Sequence, residues 1–169
     1  MSVRPVPAAM RVGIMLSLSA ILFGFLLGGA FGAFEPVLKG RLAASADAVL
    51  ATAHNGDVAA KDAVVAKSWE YLKRAHLHGG GIGGASLAAI AILLLTTKLG
   101  RMAQYSAAAF GAGALIYAVF WLAAGFSAPG MGSTGAAKEA FEWIAVPGAG
   151  LAILGAVGTM ISVWRDRSA

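Results

Sequence analysis

Four long apolar runs, each without a charged residue or histidine in its middle, dominate the hydrophobic pattern. They span residues 12–34, 79–97, 103–126 and 141–164. Each is close to the roughly 20 residues that an α-helix needs to cross a hydrocarbon core of about 30 Å. The pattern predicts an all-α integral membrane protein, a four-transmembrane-helix bundle that forms a single membrane domain over residues 1–169.

The segment 35–78, between the first two runs, is polar but has a helical pattern of its own. Residues 42–53 are rich in Ala and Leu, which are good helix formers, and the sequence from His54 to Gly56 interrupts them. Asp57 can then cap a second helix whose apolar residues share one side. The pattern predicts an amphipathic helical hairpin in the first extramembrane loop, with its second arm continuing into the second membrane helix.

The first run also raises the question of a cleaved signal peptide, because Arg4 and Arg11 precede it. A signal peptide has an apolar region of about 7–15 residues that ends in a small-x-small cleavage site. Here the run is longer, and cleavage after Ala33 would place the bulky Phe31 at the −3 position. We expect an uncleaved first helix, with cleavage after Ala30 as the alternative.

Basic residues at the ends of the apolar runs predict the orientation. With both termini in the cytoplasm, the short cytoplasmic segments contain Arg4, Arg11, Lys98, Arg101, Arg165 and Arg167. The short outer loop at 127–138 contains a single basic residue, Lys138. Short loops dominate this rule, whereas long segments cross the membrane largely regardless of their charge. We therefore expect a bacterial inner-membrane protein with cytoplasmic N and C termini.

Composition supports the membrane assignment and excludes several classes of function. The chain is 59% hydrophobic and 12% charged, whereas soluble domains have roughly 25% charged residues. Its net charge of +5 comes from Lys and Arg at the ends of the apolar runs, and no nucleic-acid-binding motif accompanies them. The chain has no cysteine, which excludes disulfides, thiolate metal sites, iron–sulfur clusters and c-type haem.

Glycines in the first two apolar runs predict close helix packing. Gly24, Gly28 and Gly32 recur every four residues, and Gly80 and Gly84 belong to the glycine-rich start of the second run. Small residues let membrane helices approach closely, within one chain or between chains. The expected partners are therefore the lipid bilayer and other membrane subunits or a second copy. The alternative is a flat surface for a planar ligand such as a haem or quinone.

Two histidines, His76 and His78, stand where the second apolar run begins. Helical residues two apart diverge by about 200°, so we expect one ring to face the bundle and the other the headgroups or a partner chain. Imidazole is the commonest metal ligand and titrates near physiological pH. The His-x-His sequence at the start of a glycine-rich membrane helix resembles, over a short segment, the haem-ligating helices of respiratory membrane proteins. The alternative is interfacial polarity or packing.

The predicted topology also brings carboxylates to the face that carries these histidines. A candidate metal site therefore combines His76 and His78 with Glu35 and Glu142, a ligand set found in helical bundles. There is no Glu-x-x-His motif, and Glu142 is spaced to pair with Lys138. Surface ion pairing is therefore the alternative interpretation of these carboxylates.

The sequence predicts a small membrane subunit that binds haem b or a transition metal through His76 or His78 and serves electron transfer. His54 lies in the loop, so a haem would use one histidine or be shared with a partner chain. The alternative is a cofactor-free accessory or assembly subunit. A small transporter is disfavoured because charges at the membrane midplane are absent. No catalytic motif of a soluble enzyme is present.

Overall fold

The computed structural model describes residues 5–166, which form six helices. They are α1 (Ala8–Asp47), α2 (Leu50–Ala53), α3 (Val58–Thr96), α4 (Arg101–Ser127), α5 (Thr134–Ala140) and α6 (Glu142–Asp166). The protein is 88% helix, and the described part contains no strand. Helices α1, α3, α4 and α6 are long and apolar enough to cross a membrane. The predicted all-helical class with four such helices is confirmed.

Helices α1 and α3 extend well beyond the apolar runs. They contain 40 and 39 residues, so each is about 60 Å long, twice the thickness of a hydrocarbon core. We predicted a separate helix at 42–53, but α1 continues to Asp47. Non-helical angles at Phe34 (φ −130°, ψ 19°), close to Pro36, mark a kink. Proline lacks an N–H and clashes with the carbonyl four residues earlier, so it bends this helix without ending it.

The chain reverses direction between α2 and α3. Asn55 (φ 53°) and Gly56 (φ 79°) adopt left-handed angles, which both residue types tolerate in turns. The Asp57 side chain then caps α3, because its carboxylate accepts a hydrogen bond from the backbone N–H of Ala60 at 3.0 Å. These local features explain why α3 begins at Val58.

Lys61 joins the two helices on either side of this reversal. Its ammonium group lies 2.7 Å from Asp47 at the end of α1 and 3.2 Å from Asp62. The lysine side chain is only 13% exposed. The hydrogen bond to Asp47 and, to a smaller extent, the one to Asp62 raise the pKa of Lys61.

Helix α4 lies centrally among the long helices. It packs against α1, α3 and α6, while α6 rests mainly on α4 and less on α3. In the most apolar part of α4, 44% of residues are buried, against 17% in both α1 and α6. Helices α1 and α6 therefore turn most of their apolar surface outward.

The contact between α1 and α3 follows alternating spacings of three and four residues. The buried residues of α1 before the kink are Met10, Gly13, Ser17, Ala20 and Gly24. Those of α3 include Gly79, Gly83, Ser86, Ile90 and Leu93. This spacing is typical of helices that pack side by side at a small crossing angle. Ser17 and Ser86 form a buried hydrogen bond of 2.7 Å across the seam.

Only some of the glycines predicted to allow close helix packing contact another helix of the chain. A Cβ atom on Gly24 would lie 2.7 Å from the backbone nitrogen of Gly80, and one on Gly28 would lie 2.7 Å from the His76 ring. Gly32 and Gly84 have open space at the same position. Each four-residue step overshoots a helical turn by about 40°, so Gly32 is rotated by about 80° from Gly24.

The segment between α4 and α6 contains a short helix that the sequence analysis treats as a loop. Gly132 (φ 63°) turns the chain, and the Ser133 hydroxyl caps α5 by accepting from the backbone N–H of Ala136 at 3.2 Å. Helix α5 carries Lys138 and Glu139 to the end of the bundle where α4 ends and α6 begins.

Candidate functional site

His76 packs against α1. Its Nδ1 atom lies 2.7 Å from the carbonyl oxygen of Gly24, the ring rests on Gly28, and Phe31 meets it edge-on with centroids 6.1 Å apart. A carbonyl oxygen only accepts hydrogen bonds, so Nδ1 donates and carries the proton. In the neutral imidazole with this tautomer, the Nε2 atom carries the lone pair.

His78 faces the other side of α3. Its Nδ1 atom lies 2.7 Å from the carbonyl oxygen of Arg74, one turn earlier in the same helix. Its ring meets Tyr117 edge-on at 5.1 Å between centroids and lies 6.0 Å from Trp121, both on α4. By the same argument, Nδ1 donates to the carbonyl, and in the neutral ring Nε2 carries the lone pair.

The two imidazoles therefore point to different helices, in keeping with the divergence expected for residues two apart. His76 contacts α1 and His78 contacts α4. The third histidine, His54, is 7% exposed and lies in the turn before α3, beside Gly132. Its Nε2 atom is buried and has no hydrogen-bond partner within the described chain. In a single copy, the rings of His76 and His78 therefore do not face one common cofactor.

The candidate metal ligands lie in separate places. Glu35 pairs with Lys39 at 2.5 Å on an exposed face of α1, and Glu142 lies at the start of α6. Across residues 5–166, no three His, Asp or Glu side chains come close enough together to hold a metal ion. A metal bound by His76 or His78 would therefore need further ligands from water, another molecule or another chain.

A cleft of about 460 Å³ opens between α4, α5 and α6. Its wall on α4 consists of Tyr117, Phe120 and Trp121. One end is polar, with Lys138, Glu139 and Glu142, and the opposite end is apolar, with Ala145, Val146 and Ala149. Among residues 5–166, no ion pair includes any of the three charged residues. The predicted Glu142–Lys138 pair is thus not formed.

Trp121 connects this cleft to the histidine side of α3. The guanidinium of Arg74 lies 4.8 Å from the Trp121 ring centroid and 5.5 Å from that of Tyr71. Trp121 is 8% exposed, and its indole N–H has no hydrogen-bond partner among the described residues. A buried donor without an acceptor is costly, by roughly 1–3 kcal/mol. We therefore regard Trp121 as a functional candidate.

The aromatic wall of the cleft was not predicted from the sequence. Tyr117, Phe120 and Trp121 lie within an uninterrupted apolar run, where aromatic residues are ordinary membrane-facing or core residues. The available signal is their spacing of three and four residues, which puts all three on one face of a helix. The polar end could not be found in the same way, because it belongs to the unpredicted α5.

The fold and the site together define a class: an all-helical bundle with four helices able to cross a membrane and two separately anchored imidazoles on one of them. Comparisons with protein-family models, curated proteins and solved structures gave no match. The function must therefore be argued from the residues themselves.

Proposed function

We propose that the protein resides in a bacterial inner membrane with both termini in the cytoplasm. The end of α1, α2 and the start of α3 would form the predicted amphipathic hairpin outside the membrane. Large apolar side chains on the bundle surface support this, including Leu95 at 85% exposed, Phe25 at 68% and Leu154 at 68%. Such a surface is stable in lipid but not in water.

Within that membrane, we propose that the protein is a subunit that supplies an imidazole ligand to haem b or a transition metal and serves electron transfer. The carrying observation is the matched anchoring of His76 and His78, whose Nδ1 atoms each lie 2.7 Å from a backbone carbonyl oxygen. Metal-ligating histidines typically donate their other ring N–H to a carbonyl or carboxylate, which orients the ring and increases its basicity.

The divergence of the two rings bears on how a cofactor would be held. One copy offers at most one imidazole to a given haem or metal, because His76 contacts α1 and His78 contacts α4. The remaining ligand would come from a partner subunit, a second copy or a small molecule. This arrangement suits a subunit of a larger membrane complex.

A cofactor-free accessory or assembly subunit is the second candidate. It is favoured by the open space at Gly32 and Gly84, where no part of the described chain fills the position of a side chain. Open glycines allow close approach of a helix from another chain. In that case the Nδ1 hydrogen bonds of His76 and His78 would only satisfy polar groups within the bundle.

An absorption spectrum with metal analysis, on protein purified in mild detergent from cells supplied with haem and metals, separates the two candidates. The variants are His76→Ala and His78→Ala, and the matched control is His54→Ala, which removes the only other histidine. We expect a Soret band or a stoichiometric metal that is lost in one of the first two variants and retained in the control.

A colourless, metal-free protein that neither substitution changes would overturn the cofactor proposal. The accessory candidate then predicts co-purifying membrane proteins, with an association that is weakened by Gly32→Leu or Gly84→Leu. A Cβ atom at either position would have no neighbour within 4 Å, so each variant is expected to fold.

A further inference from the structure

We propose that the cleft between α4, α5 and α6 binds the ring of an isoprenoid quinone or quinol. No histidine lines this cleft, although Tyr117 and Trp121 on its wall also contact the His78 ring. The inference does not depend on the histidines binding a cofactor. Its volume of about 460 Å³ is within the usual size of small-molecule sites.

The two ends of the cleft match the two ends of such a molecule. Lys138 and Glu142 stand at the polar end, while Val146 and Ala149 line the other end, one to two turns further along α6. Val146 is 62% exposed, so that end opens onto the outer surface of the bundle. A polar ring could therefore lie between α4 and α6 while its apolar tail leaves into lipid.

The α4 wall suits a planar ring. Tyr117 and Phe120 are stacked at 5.9 Å between centroids with 23° between their planes, and Trp121 meets Phe120 at 57° and 4.9 Å. Aromatic side chains favour offset or edge-to-face contacts with another ring. A flat ligand could stack on one of these rings and meet another with its edge.

Polar groups complement the oxygens of a quinone. The Lys138 ammonium lines the cleft and is unpaired among the described residues, so it can donate to a ligand carbonyl. The indole N–H of Trp121 also lacks an acceptor there, and because this atom is buried, the ring must shift for it to donate to a ligand. The carboxylates of Glu139 and Glu142 can accept from a quinol hydroxyl. The two glutamates are balanced by Lys138 and the nearby Arg74, so no net charge attracts a phosphodiester, and charge does not favour a phospholipid headgroup here.

Arg74 makes an organic cation a weaker candidate. Its guanidinium already stacks on Trp121 at 4.8 Å and has no carboxylate partner in the described chain. Together with Lys138 it offsets the two glutamates around the cleft. Charge therefore does not select a cation here, whereas a neutral ring with donors and acceptors uses every group on the wall.

Tryptophan fluorescence in phosphatidylcholine nanodiscs tests the proposal, with decylubiquinone as the probe. A ring bound against Trp121 should quench its emission to saturation, above the linear quenching by quinone dissolved in the bilayer. We expect Trp121→Phe to remove the saturable part and Trp69→Phe, the matched control on α3, to retain it. Trp69 contacts Phe31 and lies away from the cleft.

A second pair of variants keeps the test independent of the folding of Trp121→Phe. Ala149→Leu adds volume inside the cleft and should weaken decylubiquinone binding by roughly tenfold or more. Ala88→Leu adds the same volume at an exposed position on α3 and should leave binding unchanged.

Quenching that stays linear in decylubiquinone, or a saturable part that survives Ala149→Leu, would overturn the proposal. So would tightly retained phospholipid with no saturable quenching, which would assign the cleft to lipid. Neither result affects the absorption spectrum on which the role of His76 and His78 is tested, so the two proposals fail separately.

Discussion

The Nδ1 atom of His76 on α3 lies 2.7 Å from the carbonyl oxygen of Gly24 on α1. The ring reaches this carbonyl because Gly28, one turn further along α1, has no side chain beneath it. One contact therefore brings two long helices together and also sets which ring nitrogen carries the proton. Substitutions at this contact can therefore test whether it anchors the His76 imidazole.

Replacing Gly28 with alanine should displace the His76 ring, because the added Cβ would lie 2.7 Å from its Cε1 atom. We expect a loss of roughly 1–3 kcal/mol in the free energy of unfolding in micelles, typical of overpacking. The ¹⁵N NMR signals of the imidazole should also show loss of the fixed Nδ1–H tautomer. Gly32→Ala points into open space and should change stability by no more than about 0.5 kcal/mol. Equal effects of both substitutions would contradict this account.

Ser17 and Ser86 should contribute unequally to stability. The Ser17 hydroxyl donates to the carbonyl of Gly13 at 2.8 Å, so Ser86 must donate in the 2.7 Å bond between the two hydroxyls. Ser17→Ala leaves the Ser86 proton without its acceptor, whereas Ser86→Ala leaves Ser17 bonded to Gly13. We expect Ser17→Ala to be the more destabilising. A double-mutant cycle in micelles should give a coupling of about 0.6 kcal/mol, and a coupling near zero would refute the bond.

The contact between Lys61 and Asp47 should weaken at high pH. Its hydrogen bonds raise the pKa of Lys61 above the ordinary value of 10.5. The stabilisation is therefore fully present below pH 10.5 and is lost as the pH rises through the raised value. Spin labels at Ala51 and Ala63 should show a wider distance distribution above that pH. Lys61→Met should widen it at every pH, while Lys67→Met, on an exposed lysine, should not.

The proposed orientation predicts opposite labelling of two introduced cysteines, against a background with no native cysteine. Ala51→Cys lies in α2, within the proposed outer hairpin, and Gly100→Cys lies between α3 and α4. A membrane-impermeant maleimide should label the first in intact spheroplasts and the second only after lysis. The reverse pattern would invert the topology and leave the fold unaffected.

The four long helices were predictable because apolar length is a local property of the chain. Their ends were less predictable. The pattern predicted a separate helix at 42–53, yet the chain kinks at Phe34, close to Pro36, and α1 continues to Asp47. A single proline removes one donor and adds one clash, which a long packed helix can absorb by bending. Sequence alone does not tell a kink from an end.

The predictions about site residues also differ in whether they depend on one helix or on the packing of several. The opposite directions of His76 and His78 follow from helical rotation alone, and the structure agrees. The proposed convergence of Glu35 and Glu142 on those rings needed distances between helices. Among residues 5–166, no three such side chains come together; Glu35 pairs with its neighbour Lys39, and Glu142 lines the cleft beside α6.

By itself, the sequence determined the helical class, the four apolar lengths and the divergence of the two histidines, since each depends on local composition or on the 3.6-residue period. Only the tertiary structure decided which glycines meet a partner, which carbonyl anchors His76 and that Trp121 borders a cleft. Those outcomes depend on the rotation and register of one helix against another. Many weak contacts spread over the whole bundle set that rotation and register, and no short segment encodes them.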